Sequence, residues 1–374
     1  MKILQHRKLW EGGLLIAVAL CLTIGSFSLL FLPAPRFSPE ENRYLAAFPT
    51  FSAEALTSGS YAADIDVFAA ERMAFRTPLR HLRSFLQKIE GRLEFGGAIL
   101  CQDGSLTRPI TVNERALAQN LAALQKIVDF SVQKSLPVSV AVPTTRLLAR
   151  ATVLPHLYDN SAAKAAGEAL IRAFPHAQTF PTLTDSLHWY RTDHHWTTAG
   201  AYAAYCALSA VLGYTPYPQE AFDVQTVSKS FLGTAHSAAG LPFVTPDHIE
   251  LYRYENDTAF SVFFDGKQAP FDGFYDFERL STKDGYGVFF GGNHGRLEIS
   301  SDDKCETLLV IKDSFANALL PFLARHYHIV AIDPRYTAAP LSDCAVGVDR
   351  VLVLCGLQSL CESPLLRPLI ATQQ

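Results

Sequence analysis

The sequence predicts an α/β fold in which helices flank a parallel sheet, with a β-rich insertion and a membrane-spanning helix at the N-terminus. Helical patterns lead into short apolar runs in two parts of the chain, near residue 138 and after residue 306, and these predict the sheet. An uncharged apolar stretch near the N-terminus predicts the membrane helix. The 374 residues are 49% hydrophobic and carry a net charge of −4. Because nucleic acids are bound by concentrated basic surfaces, we expect no nucleic-acid partner.

The apolar stretch covers residues 12–32, which contain no charged side chain and follow three basic residues. At about 1.5 Å per residue, a helix of this length crosses a hydrocarbon core of roughly 30 Å. The basic residues favour a cytoplasmic N-terminus. We therefore expect residues 1–34 to form a cytoplasmic stub and anchor, and residues 35–374 to form an extracytoplasmic domain. The alternative is a cleaved signal peptide, whose apolar region is usually shorter, about 7–15 residues.

Helical spacing of apolar residues predicts helical structure within residues 61–90 and a helix at 113–135, with Asn113 as a cap. The apolar run at 137–143 predicts a buried strand directly after that helix. Further helices are predicted at residues 162–173 and 198–212.

Residues 214–300 are rich in Phe, Tyr, Asp and Gly, with short alternating runs, and predict an irregular β-rich insertion. After them, residues 307–312, 328–333 and 348–355 predict three strands, and residues 315–326 predict a helix between the first two. Such an alternation indicates parallel strands with right-handed crossovers. In sheets of this type, ligands bind at the carboxyl ends of the strands.

Ser314 lies at such a carboxyl end, where the strand at 307–312 gives way to a helix. The first N–H groups of a helix have no partner within it, and they would stabilise a developing oxyanion. An ordinary helix cap is the alternative, because Asp and Ser are preferred at that position.

A serine nucleophile needs a base, and the base needs an acid that orients it. Asp193 and His195 are two residues apart, and residues i and i+2 of an extended segment point to the same side. We therefore predict a triad of Ser314, His195 and Asp193. Surface histidines beside a capping Asp are the alternative.

A metal site is the competing chemistry, because His188, Asp193, His194 and His195 form a ligand-rich set. The HExxH pattern and a second Asp cluster are missing from the sequence. We expect no metal and no other cofactor, with a metal-dependent phosphoesterase as the alternative.

Four segments resemble the DHHW family: DHHW at 193–196, ENRYLAAFP at 41–49, GGNHG at 291–295 and IKDSFANALLPFLARHYHIVAIDPRY at 311–336. The order of these parts is similar to that in alginate O-acetylation proteins of the AlgJ and AlgX type, which belong to the SGNH/GDSL hydrolase-like group. The resemblance implies an SGNH-hydrolase-like sheet. It also implies that Ser314, His195 and Asp193 correspond to the family's nucleophile, base and acid.

The resemblance further implies an oxyanion hole built from the serine's own N–H, a glycine N–H and a polar side chain. Gly292 and Asn293 are the candidates for the last two. Lys312 stands where ordinary hydrolases of the group carry glycine, which leaves the width of the pocket open.

Three further residues are candidates for contacts with substrate. Tyr190 and Trp196 lie beside the DHHW segment and have rings suited to stacking on sugars, with a core position as the alternative. Arg146 follows the strand at 137–143 and either lines the cleft or pairs with a surface acid.

The resemblance implies a membrane-anchored, extracytoplasmic, serine-dependent O-acetyltransferase. Its substrate would be a cell-surface or exported polysaccharide, acetylated through an acetyl-serine intermediate, and a multispanning membrane acyltransferase would supply the acetyl group. A carbohydrate acetylesterase would use the same triad, and a non-catalytic glycan-binding or assembly protein would keep the fold without turnover. These alternatives stay open from the sequence.

Overall fold

The computed structural model of the chain describes residues 12–370, except for residues 14, 17–18, 21–22, 26, 28–35, 39, 42, 74, 181–182, 256 and 301–305. The chain divides into two compact units. One contains the residues up to Arg92 together with Gly240–Pro242, and the other contains Leu93–Ala239 and the residues from Phe243 onward.

The predicted membrane anchor, residues 12–32, falls for the most part outside the described residues. Within the part of the chain that is described, no helix is both long and apolar enough to cross a membrane. The anchor and the predicted boundary between residues 34 and 35 stay predictions.

From Phe37 onward, the described residues of the first unit form a short antiparallel pair of strands and three helices. These elements are β1 (Phe37–Ser38), β2 (Arg43–Tyr44), α1 (Ala53–Ser58), α2 (Ser60–Arg72) and α3 (Arg76–Ile89). The helical structure predicted for residues 61–90 is therefore divided between α2 and α3. The break coincides with Phe75, whose φ of 58° is incompatible with a continuous right-handed helix.

The second unit contains twelve strands among its described residues, and seven of them form one sheet. The strands are β3 (Glu94–Phe95), β4 (Ala98–Leu100), β5 (Leu106–Thr107), β6 (Val138–Ala141), β7 (Asp223–Phe231), β8 (Asp247–Arg253), β9 (Ser261–Phe264), β10 (Lys267–Gln268), β11 (Arg296–Ser300), β12 (Thr307–Lys312), β13 (His328–Ile332) and β14 (Arg350–Leu354). The order in the large sheet is β10-β9-β11-β13-β12-β14-β6. Strands β3, β4 and β5 form a smaller sheet, and β7 pairs with β8.

The large sheet is mixed, so the prediction of a parallel sheet is only partly correct. Strands β6, β14, β12 and β13 are parallel neighbours, as predicted. Strands β11, β9 and β10 are antiparallel to their neighbours, and they come from residues 214–300, which were predicted as an irregular β-rich insertion. Residues Asp265 and Gly266, both with positive φ, form the tight turn between β9 and β10, which reverses the chain.

The second unit also contains helices among its described residues, and most of them contribute buried side chains to one of two apolar cores. They are α4 (Glu114–Gln133), α5 (Arg146–Ala149), α6 (Ser161–Ala173), α7 (Thr198–Leu212), α8 (Thr234–Ala239), α9 (Leu320–Leu323), α10 (Leu341–Cys344), α11 (Leu357–Glu362) and α12 (Arg367–Ile370). Leu308 and Val310 of β12 face one apolar core, and Leu309 and Ile311 face the other. This alternation explains why the strand is apolar throughout.

Two predicted helices are confirmed together with their caps. The side chain of Asn113 accepts a hydrogen bond from the N–H of Ala116 at the start of α4. The side chain of Thr197 accepts one from Gly200 at the start of α7. Both satisfy N–H groups that the helix itself leaves without a partner.

The helix predicted at residues 315–326 is instead a 3₁₀ turn, Ser314–Ala318, followed by the short helix α9. Pro321 lies in the first turn of α9. Because proline lacks an N–H group and is tolerated only in the first turn of an α-helix, it marks the start of a new helix. The prediction of one continuous helix is therefore wrong.

Candidate active site

Ser314 opens the 3₁₀ turn directly after β12, at the carboxyl edge of the parallel strands. Asp313 holds this turn in place: one of its carboxylate oxygens accepts from the N–H of Phe315 at 3.1 Å. The other accepts from the N–H of Gly356 at 2.8 Å and from the hydroxyl of Ser359 at 2.7 Å. Among the described residues, the N–H of Ser314 has no acceptor, as expected for the first amide of such a turn.

Ser314, His195 and Asp193 form one hydrogen-bonded line. Nδ1 of His195 lies 2.6 Å from Oδ1 of Asp193, and Nε2 lies 2.7 Å from Oγ of Ser314. An ionised carboxylate only accepts, so Nδ1 carries the hydrogen of the neutral ring. Nε2 is then the acceptor for the Ser314 hydroxyl, which is the arrangement that a general base requires.

Asp193 is held as a carboxylate although it is only 1% exposed. It accepts from the N–H of His195 at 2.9 Å, and from the N–H and hydroxyl of Thr234 at 2.7 and 2.9 Å. Burial opposes ionisation, but the positive charge that His194 and His195 carry when protonated, together with these hydrogen bonds, holds the pKa of Asp193 well below its usual range. Gly233 allows the close approach, because a Cβ at that position would overlap Asp193.

The ring of His195 is fixed by two aromatic neighbours. Tyr286 stacks on it with centroids 3.9 Å apart and an interplanar angle of 6°, and Phe315 packs at 5.2 Å. The hydroxyl of Tyr286 donates to the carbonyl of Ser314 at 3.3 Å. Tyr286, Thr234 and Gly233 were not predicted, because they lie far from the DHHW segment in sequence and no spacing connects them to it.

His194 lies beside the line rather than in it. Its Nδ1 lies 2.7 Å from the hydroxyl of Thr234. Burial and the neighbouring His195 lower the pKa of His194 to about 3, so it is neutral at physiological pH.

The ligand atoms of Asp193, His194 and His195 lie within 4.8 Å of one another, which is the geometry of a metal-binding group. His188 is not part of this group. Nδ1 of both group histidines is already hydrogen-bonded, and Nε2 of His195 is bonded to Ser314. A cation at this position would therefore replace the bonds that hold the triad together.

The two oxyanion candidates differ in whether their donor groups are already used: the N–H of Gly292 is hydrogen-bonded, whereas Asn293 is bonded through its oxygen. The N–H of Gly292 donates to the carbonyl of Phe289 at 3.2 Å. The carboxamide oxygen of Asn293 accepts from Nδ2 of Asn317 at 3.1 Å. Asn317 lies three residues after Ser314 in the same 3₁₀ turn, where side chains at i and i+3 lie on one side. The structure thus places the Asn293 carboxamide beside the serine turn.

Lys312 does not line the site, although its position raised a question about pocket width. Its side chain is 1% exposed, and its Nζ donates to Oδ1 of Asn317 at 2.7 Å. Oδ2 of Asp333 lies 3.9 Å away and is itself bonded to Arg335. Burial lowers the pKa of Lys312 to about 8, against the opposing charge of Asp333.

The three remaining candidates are buried, which agrees with the core alternative for Tyr190 and Trp196, and Arg146 pairs with an acid but does so from a buried position. Tyr190 and Trp196 are core residues, and Trp196 packs edge-on against Phe315 at 5.4 Å. Arg146, 2% exposed, donates to the carbonyl of Tyr190 at 2.7 Å and to the carboxylate of Asp103 at 3.0 Å. These side chains brace the segment that carries Asp193 and His195, and they offer no ring face to a sugar.

The sequence and the fold were compared with those of known proteins. A family model described as DHHW protein matches residues 181–332, which contain the triad. The predicted resemblance to the DHHW family is confirmed. No curated protein sequence matches the chain.

Several solved structures are similar to this chain. A DHHW family protein from Eubacterium siraeum has 19% identity and a TM-score of 0.63, over 75% of this chain and 98% of its own. Bacillus cereus PatB1, solved with a sulfonyl adduct, has 18% identity and a TM-score of 0.60, over 73% of this chain and 99% of its own. The O-acetyltransferase domain of Pseudomonas putida AlgJ has 16% identity and a TM-score of 0.45, over 71% and 93%. The first two show that the chain has the fold of these proteins.

Proposed function

We propose that this chain is an extracytoplasmic O-acetyltransferase that transfers an acetyl group to a hydroxyl of a cell-surface or exported polysaccharide. The observation that carries the proposal is the hydrogen-bonded line from Asp193 through His195 to Ser314. A plain surface cap would need neither a buried, ionised carboxylate nor a histidine clamped between aromatic rings. The line ends at a serine whose own N–H is available, which is the arrangement of a nucleophile at an oxyanion site.

The acyl-transfer chemistry follows from these positions. Oγ of Ser314 attacks the carbonyl carbon of an acetyl ester, and its proton moves to Nε2 of His195. The N–H of Ser314 and Nδ2 of Asn293 donate to the oxyanion. The C–O bond to the donor alcohol then breaks, and that alcohol leaves with the proton from His195. The product of this half-reaction is acetyl-Ser314.

The second half-reaction reverses the roles. A sugar hydroxyl gives its proton to His195 and attacks the acetyl carbon, and the bond to Oγ breaks as His195 returns the proton to Ser314. Attack by water in place of the sugar would make the chain an acetylesterase with the same residues. The sequence resemblance to alginate O-acetylation proteins favours transfer, with a multispanning membrane acyltransferase as donor and residues 12–32 as the membrane anchor.

The test uses the full-length chain with p-nitrophenyl acetate as donor and a panel of oligosaccharides as acceptors. We expect acetylated oligosaccharide from the wild type and none from Ser314→Ala, detected by mass spectrometry. Release of free acetate at a rate that no acceptor changes would make the chain an esterase. Glycan binding without any turnover, equal in wild type and Ser314→Ala, would make it a binding protein.

A sulfonyl fluoride provides an independent check, because such reagents sulfonylate activated serine hydroxyls. The PatB1 structure holds a sulfonyl adduct. We expect pretreatment of this chain with phenylmethylsulfonyl fluoride to block acetyl transfer. Full activity after such treatment would speak against a nucleophilic serine.

A further inference from the structure

Lys312 is an unusual residue for the end of a central strand. It is 1% exposed, and a buried ammonium group is costly unless its hydrogens are used. Asp333 is too far away for a direct hydrogen bond, at 3.9 Å, and is already paired with Arg335. The short contact of Lys312 is instead with Asn317, whose Oδ1 accepts from Nζ at 2.7 Å.

This contact begins a series of hydrogen bonds, from Lys312 through Asn317 to Asn293, in which the donor and the acceptor of each bond are determined. An ammonium group only donates, so Asn317 must present its oxygen to Lys312 and its NH₂ group to the other side. That NH₂ group donates to Oδ1 of Asn293 at 3.1 Å and to the carbonyl of Gly292 at 3.3 Å. Asn293 must therefore present its oxygen to Asn317, which leaves its own NH₂ group directed away. Among the described residues, that NH₂ group has no acceptor.

We propose that Lys312 is a positioning residue, which acts through Asn317 to fix the Asn293 carboxamide with its NH₂ group toward the oxyanion site. The inference rests on the proposed acyl-transfer function. It identifies Lys312 as the residue that orients the side-chain donor of the oxyanion site, the NH₂ group of Asn293. Without these hydrogen bonds, the Asn293 carboxamide would be free to turn by 180° and present an oxygen to the oxyanion. The lysine that replaces the usual glycine at position 312 thus has a role of its own.

Asn317→Asp tests the direction of these hydrogen bonds, because it changes the side chain from donor and acceptor to acceptor only while keeping nearly the same size. A carboxylate still accepts from Lys312 but has no hydrogen for Asn293, so Asn293 turns to donate to it and its oxygen faces the oxyanion. We expect the rate of Ser314 acetylation by p-nitrophenyl acetate to fall about 100-fold, as for loss of an oxyanion donor. Asn113→Asp is the matched control, because Asp caps α4 as well as Asn does, and its rate should stay within about twofold of the wild type.

A double-variant cycle separates positioning from general damage. If Asn317 acts through Asn293, the combined variant Asn317→Asp/Asn293→Ala should be no slower than Asn293→Ala alone. Lys312→Met, which removes the donor at the other end, should give the same pattern. Thermal unfolding of each variant confirms that the folded chain is being measured.

The outcomes are distinct. A rate for Asn317→Asp within about twofold of the wild type, or an undiminished effect of Asn317→Asp in the Asn293→Ala background, overturns the positioning role and leaves the proposed function intact. A wild type that gains no acetyl group on Ser314 overturns the proposed function, and this inference with it.

Discussion

His194 and His195 are neighbours in sequence, and they differ in what their ring nitrogens touch. Both nitrogens of His195 lie in the line between Asp193 and Ser314, whereas the bonded nitrogen of His194 contacts Thr234. We expect His195→Ala to slow Ser314 acetylation by about 10²–10⁴-fold, the usual contribution of a general base. His194→Ala should slow it less than tenfold. Burst kinetics with p-nitrophenyl acetate measure both, and equal losses in the two variants would contradict the assignment.

The buried ammonium of Lys312 gives a pH dependence of stability. Its pKa is about 8 in the folded chain and near 10.4 in an unfolded one. Between these values the unfolded chain binds the proton more tightly, so the free energy of unfolding rises with pH. We expect the wild type to gain stability relative to Lys312→Met as pH rises from 8 to about 10.4. Denaturant unfolding across this range measures it, and a constant or falling difference would show that folding does not lower the pKa of Lys312.

The triad was predictable from sequence because two of its members share a short extended segment and the third lies at a strand end. Thr234 and Tyr286, which hold Asp193 and His195, were not predictable. Their contacts arise only when the chain brings residues about 40 and 90 positions away to the DHHW segment. For Tyr190 and Trp196, sequence could not decide between a core position and a contact with substrate. An aromatic residue beside a site has the same sequence pattern whether it is buried or exposed.

At the scale of single elements, the turn before α8 packs directly against the carboxylate of Asp193. A Cβ at Gly233 would overlap Asp193, so Gly233→Ala must displace the turn or the acid. We expect a loss of about 1–3 kcal/mol in the free energy of unfolding, the usual cost of overpacking, and slower acetylation.

Gly167→Ala is the matched control for that substitution. Gly167 lies inside α6, and its new Cβ would meet Leu357 at an ordinary 3.6 Å. Alanine in a helix interior stabilises by about 0.5–1 kcal/mol relative to glycine. A Gly233→Ala variant as stable and active as Gly167→Ala would show that the turn does not hold Asp193.

The Ser314 turn depends on Asp313 as a cap and as a link to the loop after β14. Asp313→Ala would leave the N–H of Gly356 and the hydroxyl of Ser359 without their acceptor. We expect a loss of about 1–3 kcal/mol, the cost of leaving buried donors unsatisfied, measured by denaturant unfolding. A change below about 0.5 kcal/mol, the usual range for surface substitutions, would mean that water replaces the carboxylate.

Apolar periodicity located most elements but not the way they end. It predicted α4 well because that helix has a side-chain cap and a long amphipathic pattern, and α7 because a capping Thr precedes a long apolar run that ends at a glycine. The residues after Ser314 are almost all apolar, so the pattern showed no boundary between the 3₁₀ turn and α9, and one continuous helix was predicted. Ser314, the proposed nucleophile, lies at the start of this region, where the local pattern was least informative.

At the scale of the whole molecule, sequence predicted the parallel half of the sheet and missed the antiparallel half. Parallel strands are buried on both faces and read as continuous apolar runs, as in β12 and β14. Strands β9 and β11 are short and partly exposed, and their pairing depends on contacts between distant segments. Local sequence indicates that such strands exist but does not specify the sheet that they join.

The proposed place of action gives a prediction for the intact chain. We expect the full-length protein to sediment with membranes and resist alkaline carbonate extraction, and a variant lacking residues 12–32 to be released. The partition of each protein in cell fractions measures this. A full-length protein recovered entirely in the soluble fraction would contradict a stable anchor.

The central claim is that Ser314 carries the acetyl group, and peptide mapping tests it most directly. Full-length protein is incubated with p-nitrophenyl acetate, quenched in acid, digested and analysed by mass spectrometry, beside Ser314→Ala. We predict one acetyl group on the peptide that contains Ser314 in the wild type, and none on the corresponding peptide of the variant. An acetyl group on another residue at an equal rate in both proteins, or none in a folded wild type, would contradict it.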